Sequence, residues 1–227
     1  MTSFLDEGAI LQGKDVSGRT AGGLHTEESI QAKVIVRPKT TQELSKIISA
    51  CHQSNQSIVV HGGLTGLVYG TRSSQDQFVI SLERMNQIED VDIVGRTITC
   101  QSGVTLQTIQ ELAEENNMIF PLDLGARGSC SVGGNIATNA GGNRVIRYGM
   151  MRDSVLGLEA VLADGTVLTS MNTMIKNNAG YDLKQLFIGT EGTLGIITRC
   201  VLRIREAPLS QNTGLVAIEN LDSVIRF

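Results

Sequence analysis

Glycine accounts for 25 of the 227 residues, about one in nine against a usual share of about 7%, and its placement constrains the chain more than any other feature. Fifteen of the 25 fall into three dense stretches, four in 62–70, seven in 125–149 and four in 180–195. There is no period-three repeat, which excludes collagen, and the stretches alternate with ordinary apolar sequence, which excludes glycine-rich disorder. What fits is a folded chain with three loops whose backbone lies close against something, as ligand-cradling loops do.

The remaining composition supports that reading. With 41% hydrophobic and 19% charged residues and a net charge of −4, the chain has enough apolar material for one sizeable core or two small packed lobes. Nineteen basic residues against 23 acidic ones, and a 4% aromatic share without Trp, argue against a nucleic-acid partner. No apolar run nears the ~18 residues of a membrane span, so no integral membrane segment is expected. Asp6 and Glu7 stand where a secretory leader would carry basic residues, which points to the cytoplasm. Cys51, Cys100, Cys130 and Cys200 are far apart, with no CxxC and no His in suitable spacing; they read as reduced, buried small hydrophobes, and no metal site is expected.

Local patterning divides the chain. Residues 1–32 are polar and mixed and read as an N-terminal arm or short helices. Val34-Ile35-Val36 is a β-branched run stopped by Pro38. Thr40 and Glu43 have capping-box spacing ahead of Leu44, Ile47, Ile48 and Cys51, which predicts an amphipathic helix over about 41–54. Ile58-Val59-Val60 is the next strand and runs into His61-Gly62-Gly63-Leu64-Thr65-Gly66, so the first glycine stretch sits at a strand end. Strands are expected over 78–82 and 96–101 with polar segments between them, and a helix over 105–117. In 125–149 glycines are too frequent for a regular element. Strands over 155–163 and 166–169 flank Asp164-Gly165, which suits a two-residue primed turn. A last long strand is expected over 196–204, and 215–227 reads as a new strand and the start of a helix.

The three stretches differ in chemistry. Gly62-Gly63 with Thr65-Gly66 lets successive N–H groups converge on one point, with the Thr hydroxyl as a further donor, a nest suited to phosphate oxygens. It is neither a P-loop nor GxGxxG. Gly133-Gly134-Asn135-Ile136-Ala137-Thr138-Asn139-Ala140-Gly141-Gly142 is built of small or short polar residues, as a backbone lying flat against a planar ligand requires. Glu191-Gly192-Thr193-Leu194-Gly195-Ile196-Ile197 opens directly into a strand and offers backbone groups to a ring edge. Together they suit a long, flat, phosphate-bearing ligand.

These segments, with Val36-Arg37-Pro38-Lys39-Thr40-Thr41, Pro121-Leu122-Asp123-Leu124-Gly125, Arg147-Tyr148-Gly149 and Leu162-Ala163-Asp164-Gly165, resemble the FAD-binding PCMH-type domain of the vanillyl-alcohol oxidase superfamily. Within it they look like the branch that holds the flavin-domain chain of glycolate oxidase together with D-lactate dehydrogenases and D-2-hydroxyglutarate dehydrogenase. The resemblance covers roughly 33–208. It implies an α+β fold in two lobes, about 33–98 and 99–208, with 209–227 as the start of a truncated cap domain and the cap largely absent. It implies FAD with its pyrophosphate on Gly62–Gly66; its flavin and ribityl side against Leu122, Gly125, Gly128, Ser129, Ser131, Gly133, Gly134, Asn135, Thr138, Ala140, Gly141 and Gly142; and its adenosine side near Glu191, Gly192, Gly195, Ile196 and Ile197. A covalent flavin link in the superfamily often uses a His directly after the Gly-Gly pair; Leu64 stands there, so the FAD is expected to be non-covalent.

Several residues keep two readings. His61 either touches the flavin or phosphate or is satisfied by backbone at its strand end. Tyr148 either stacks near the ring or packs beside the loop. Arg144, Arg147 and Arg152 balance the pyrophosphate charge, attract an acidic substrate, or are solvated. Glu191, which would repel a pyrophosphate, is expected to shape its loop. The activity implied is oxidation of a D-2-hydroxy acid by hydride transfer to FAD, with the catalytic base unassigned; the alternative is a non-catalytic flavin-binding module or split subunit that needs a partner for the cap and base. The partners implied are a small hydroxy-acid substrate and an electron acceptor or cap-bearing subunit.

Overall fold

The computed structural model describes residues 4–23 and 28–227. The first 81 residues carry β1 (Ile10–Leu11), α1 (Lys14–Ser17), β2 (Val34–Val36), α2 (Thr41–Gln53), β3 (Ile58–His61) and β4 (Phe78–Ser81). These strands form a sheet in the order β1-β2-β4-β3, with β2 and β3 both parallel to β4 and β1 antiparallel at the edge. Parallel strands covered on both faces need continuous apolar sequence, which Val34-Ile35-Val36 supplies. The polar arm is thus part of this layer: it contributes β1, and Arg19 with Arg37 holds the Glu83 carboxylate at 2.7 and 2.8 Å. Burial pushes the Glu83 carboxyl up, but the two guanidinium hydrogen bonds outweigh it and hold it down at about 2.

The second layer follows, with β5 (Ile88–Asp92), β6 (Thr97–Gln101), α3 (Leu106–Glu115), β7 (Met118–Ile119), α4 (Val132–Ala137), α5 (Val145–Tyr148), β8 (Val155–Val161), β9 (Val167–Ser170), β10 (Ile196–Arg203) and β11 (Arg205–Glu206). Its five-stranded sheet runs β5-β6-β10-β8-β9, antiparallel throughout. The division between layers therefore falls between Ser81 and Ile88, earlier than the lobe edge expected near 98. The cause is β5, hidden in the sequence by a bulge: Ile88 pairs with Cys100 and Asp90 with Thr99, so Glu89 is the extra residue and Ile88 and Val91, three apart, both reach the core. Such spacing breaks the period-two signal.

Helix α2 joins the layers. Thr40 caps it by accepting from the Glu43 N–H at 3.1 Å, while the Glu43 carboxylate accepts from Lys39 N–H at 2.7 Å. The carboxylate thus reaches one residue further back than a capping box requires. Leu44, Ile47, Ile48 and Cys51 are buried in one cluster with Val34, Val36 and Ile80 of the first sheet and Val161 and Ile196 of the second. Each such aliphatic side chain contributes about 1.5–3 kcal/mol by leaving water, so α2 is held from both sides.

Three further expectations are corrected. The β8–β9 connection is a three-residue loop: Leu162 N–H donates to Thr166 carbonyl at 2.8 Å, Gly165 N–H donates to Leu162 carbonyl at 2.9 Å, and only Gly165 has positive φ (+92°). A two-residue primed turn would need positive φ at Asp164 too. The second glycine stretch contains α4, because Ser131 caps it through Gly134 N–H at 3.3 Å and Gly133 is the residue that fits against Ser102, whose Cβ would lie 2.5 Å from an added Cβ. Residues 215–218 form no strand; the final element is α6 (Leu221–Arg226), capped by Asn220. The four cysteines are free and buried, with Cys100 and Cys200 facing across β6 and β10 at 3.6 Å.

The β8–β9 turn docks on α2: Ser45 Oγ donates to the Gly165 carbonyl at 2.5 Å, and a Cβ at Gly165 would meet Ser45 O at 2.7 Å and Ser49 Cβ at 2.8 Å. Positive φ adds about 1–2 kcal/mol for any L side chain. Gly165→Ala is expected to lower unfolding free energy by about 2 kcal/mol or more, read as a lower urea midpoint at unchanged m; an unchanged midpoint would show that the turn does not bear on α2.

Candidate functional site

Where β3 and β4 end on the first sheet and β10 begins on the second, their loops enclose a cavity of about 240 Å³. One wall is Val60, the 62–66 loop and Leu82; the other is Leu124, the segment 130–140 and Glu191–Ile197. Of the 24 residues expected from sequence to meet a cofactor, 16 line it: Gly62, Gly63, Leu64, Thr65, Gly66, Ser131, Gly133, Gly134, Asn135, Thr138, Ala140, Glu191, Gly192, Gly195, Ile196 and Ile197.

The glycines have separate reasons to be there. A Cβ at Gly63 would stand 2.0 Å from the Ser129 carbonyl oxygen, and one at Gly62 would stand 2.6 Å from Ser131 Oγ. These two glycines let the loop after β3 press against the loop before α4, so the two layers meet at the cavity floor. Gly66 has nothing within 4 Å of an added Cβ and faces open space. Gly192 lies on Val60, at 3.6 Å.

The backbone is shaped for an anion. Among the described residues, the N–H groups of Gly63, Leu64, Thr65 and Gly66 have no protein acceptor. Leu64 sits in the left-handed region at φ +56°, between residues of ordinary φ, the alternation that turns successive amides toward one point. The third loop is built differently: Glu191 (φ +54°) and Gly192 (φ +81°) are left-handed in succession. Its form is set by backbone, with Glu191 N–H donating to the Ala137 carbonyl at 2.8 Å, and by Thr190 and Thr193 hydroxyls donating to the Phe187 and Thr190 carbonyls at 2.8 and 2.7 Å. The loop-shaping role expected of Glu191 thus falls to its main chain. Val60, Leu82, Ile196 and Ile197 supply apolar walls, and Gly133, Gly134, Ala137 and Ala140 a low-relief surface.

Eight expected residues lie outside this cavity. His61 is 2% exposed and its Nε2–H donates to the Thr71 carbonyl at 2.8 Å; burial holds its pKa below the ordinary histidine value, so the ring is a neutral strand-end donor, the second of its two readings. Leu122 is buried in the second-layer core and its carbonyl accepts from Gln110 Nε2 at 2.7 Å. Gly125 opens to space, and Gly128 faces Gln107 Oε1, 2.9 Å from an added Cβ. Ser129 lines an adjoining polar recess with Glu83, Asn86 and Thr108. Gly141 lies by Met150, and Gly142 (φ +78°) turns tightly over the Asp123 carbonyl, 2.2 Å from an added Cβ. Tyr148 packs beside its loop, with the Arg147 and Arg205 guanidiniums 5.3 and 5.7 Å from its ring centre. Arg152 is structural: its backbone N–H donates to Asn139 Oδ1 at 3.1 Å and its guanidinium to Gln185 Oε1 at 2.9 Å and the Ile188 carbonyl at 3.3 Å, tying the second loop to the third. Arg144 stands 3.7 Å from Asp123.

Six lining residues were not expected from sequence, Val60, Val68, Gly70, Thr71, Leu82 and Leu124, while Cys130 and Ala137 fall inside the segments 125–131 and 133–142 expected on the flavin side. One of them carries a usable signal. Because β3 and β4 are parallel and His61 pairs with Ser81, Leu82 ends its strand beside the nest, and ligands collect at the carboxyl ends of parallel strands.

A loop of unpaired amides on one sheet facing a flat, small-residue backbone on another suits a dinucleotide-type cofactor, and the residues present fit FAD. Comparison with known proteins gives the same class: the family described as FAD binding domain matches residues 32–170. The chain belongs to that family and is an FAD-binding domain of PCMH type. It is 46% identical over 195 residues to the mitochondrial D-2-hydroxyglutarate dehydrogenase of Bos taurus, covering 86% of this chain and 36% of the relative. A probable mitochondrial D-2-hydroxyglutarate dehydrogenase of Oryza sativa is 50% identical over 203 residues, covering 88% and 36%. A putative mitochondrial D-lactate dehydrogenase of Schizosaccharomyces pombe is 44% identical over 196 residues, covering 86% and 37%. The chain therefore spans little more than a third of these relatives. Among solved structures, an alkyldihydroxyacetonephosphate synthase superposes with a TM-score of 0.78 at 23% identity, over 92% of this chain and 40% of that one, which shows the shared fold. No helix among the described residues is long and apolar enough to cross a membrane.

Gly63 and Gly66 separate packing from ligand contact. Gly63→Ala is expected to cost about 2 kcal/mol or more of stability through its collision with Ser129. Gly66→Ala is expected to change stability by about 0.5 kcal/mol or less while weakening FAD binding about tenfold or more, read by fluorescence titration. Equal affinity in Gly66→Ala and wild type would remove Gly66 from the contact surface.

Proposed function

We propose that this chain supplies the FAD-binding part of a flavin-dependent oxidoreductase that oxidises a D-2-hydroxy acid of the lactate, glycolate or 2-hydroxyglutarate type. The observation that carries the reading is the 43–50% identity to proteins named D-2-hydroxyglutarate or D-lactate dehydrogenase, which extends over the three loops that build the cavity. Bound FAD supplies a hydride acceptor at its N5 position.

The chain's own residues bind, orient and exclude water. The Gly63–Gly66 amides donate hydrogen bonds to the pyrophosphate oxygens, Val60, Leu82, Ile196 and Ile197 cover apolar ring surface, and the Ser131–Ala140 backbone lies along the cofactor. Leu64 offers no nucleophile for a covalent link, which supports non-covalent FAD. Abstraction of a hydroxyl proton needs a base within about 3 Å. Among the described residues, the ionisable side chains lining the cavity are Cys130 and Glu191; burial pushes the Cys130 thiol up, and Glu191 stands in the loop assigned to the adenosine side of the cofactor, away from the flavin ring. The reading therefore assigns the base, and the cations that hold the substrate carboxylate, to residues beyond those lining this cavity.

That assignment favours a second reading, a flavin-binding subunit that works with a cap-bearing partner.

Anaerobic addition of D-2-hydroxyglutarate, D-lactate or glycolate to the FAD-loaded chain tests the two. Bleaching of the flavin band by one of them is expected if the chain oxidises the acid by itself. Bound flavin that stays yellow with all three supports the partner-dependent reading.

A further inference from the structure

Glu159 lies in β8 and is 7% exposed, and the FAD reading gives it no task. Its Oε1 accepts two hydrogen bonds, from Thr41 Oγ1 at 2.7 Å and from Thr198 Oγ1 at 2.8 Å. Its Oε2 faces Arg199 Nη1 at 3.3 Å, and Arg199 in turn holds Glu89 at 2.6–2.9 Å. A carboxylate is kept in such a place only when its oxygens are paired, and losing one partner is costly.

The two threonines come from different layers. Thr198 is in β10, directly after Ile196 and Ile197 of the cavity wall. Thr41 is the first residue of α2, which leads into β3 and so into the 62–66 nest. One buried oxygen therefore connects the element that carries the phosphate nest to the strand that carries the opposite wall. The other contacts between α2 and the second layer include apolar packing with Val161 and Ile196 and the Ser45 bond to the Gly165 turn, and Gln101 Nε2 donates to the Lys39 carbonyl just ahead of the helix at 3.4 Å. Apolar packing is non-directional, whereas a paired carboxylate fixes an orientation.

We infer that Glu159 is a positioning residue for the cofactor cleft: its bond to Thr41 sets the spacing of the two walls and thereby the affinity for FAD, while its bond to Thr198, within one layer, only orients the carboxylate. This inference rests on the FAD reading of the cavity.

Thr41→Val and Thr198→Val each remove one hydroxyl donor to the same oxygen at nearly constant shape, so both lower the melting temperature of the apo-protein. They differ in FAD affinity. Thr41→Val is expected to raise the FAD dissociation constant about fivefold or more, Thr41→Ser to restore it, and Thr198→Val to stay within about twofold of wild type. Amide exchange of the apo-protein over 62–66 reads the same link without flavin and is expected to speed up in Thr41→Val only. Equal effects of the two valine variants on affinity and exchange, or no effect of either, would overturn the inference. Wild-type protein that binds no FAD would defeat the cofactor reading instead, and the exchange comparison would still decide the link between the layers.

Discussion

The structure depends on one close approach. The loop after β3 lies so near the loop before α4 that any side chain at Gly63 would stand 2.0 Å from the Ser129 carbonyl. That contact brings a parallel sheet, whose strand end offers free amides, against an antiparallel sheet, whose loops offer flat backbone. Neither sheet alone makes a cofactor site. The first offers amides without a protein acceptor and the second a flat backbone surface, and the cavity is where the two meet. The same contact explains why glycine is concentrated in the chain: it is needed both where loops press on one another and where a ligand must come close.

Helix α2 turns this contact into a stable geometry. Its apolar face is shared between both sheets, its first residue is bonded to Glu159 of β8, and its middle receives the Gly165 turn. Each of the three loops also holds a left-handed residue. Of the non-glycine residues with positive φ, Leu64, Asn139 and Glu191 belong one to each of the three loops, and such conformations persist only where surrounding structure holds them. Arg152 is part of that support, since it ties Asn139 to the segment before the third loop.

Much of this was legible in the sequence because the signals were local. The Val34–Val36 strand, the α2 cap at Thr40, α3 behind Thr105, the β8–β9 hairpin and the long β10 strand all stand where periodicity and capping residues put them. The misses have physical causes. The bulge at Glu89 erased the alternation of β5 and shifted the layer boundary to 82–87. Gly133 and Gly134 read as helix breakers, yet Gly133 is in α4 because only a glycine fits against Ser102. The hairpin turn was one residue longer than Asp164-Gly165 suggests. At the site, the glycine loops were readable, whereas Thr71 reaches the cavity through a short turn after the first loop and His61 is settled by a bond to that residue's carbonyl, ten positions away. No local pattern encodes such contacts.

The account stands on the cleft between the two sheets holding one FAD without a covalent bond. Titration of the apo-protein with FAD, followed by gel filtration and acid precipitation, tests this most directly. One FAD per chain that travels with the protein and is released into the acid supernatant is the predicted result. Protein that remains colourless in excess FAD, or flavin that stays in the acid pellet, would contradict it.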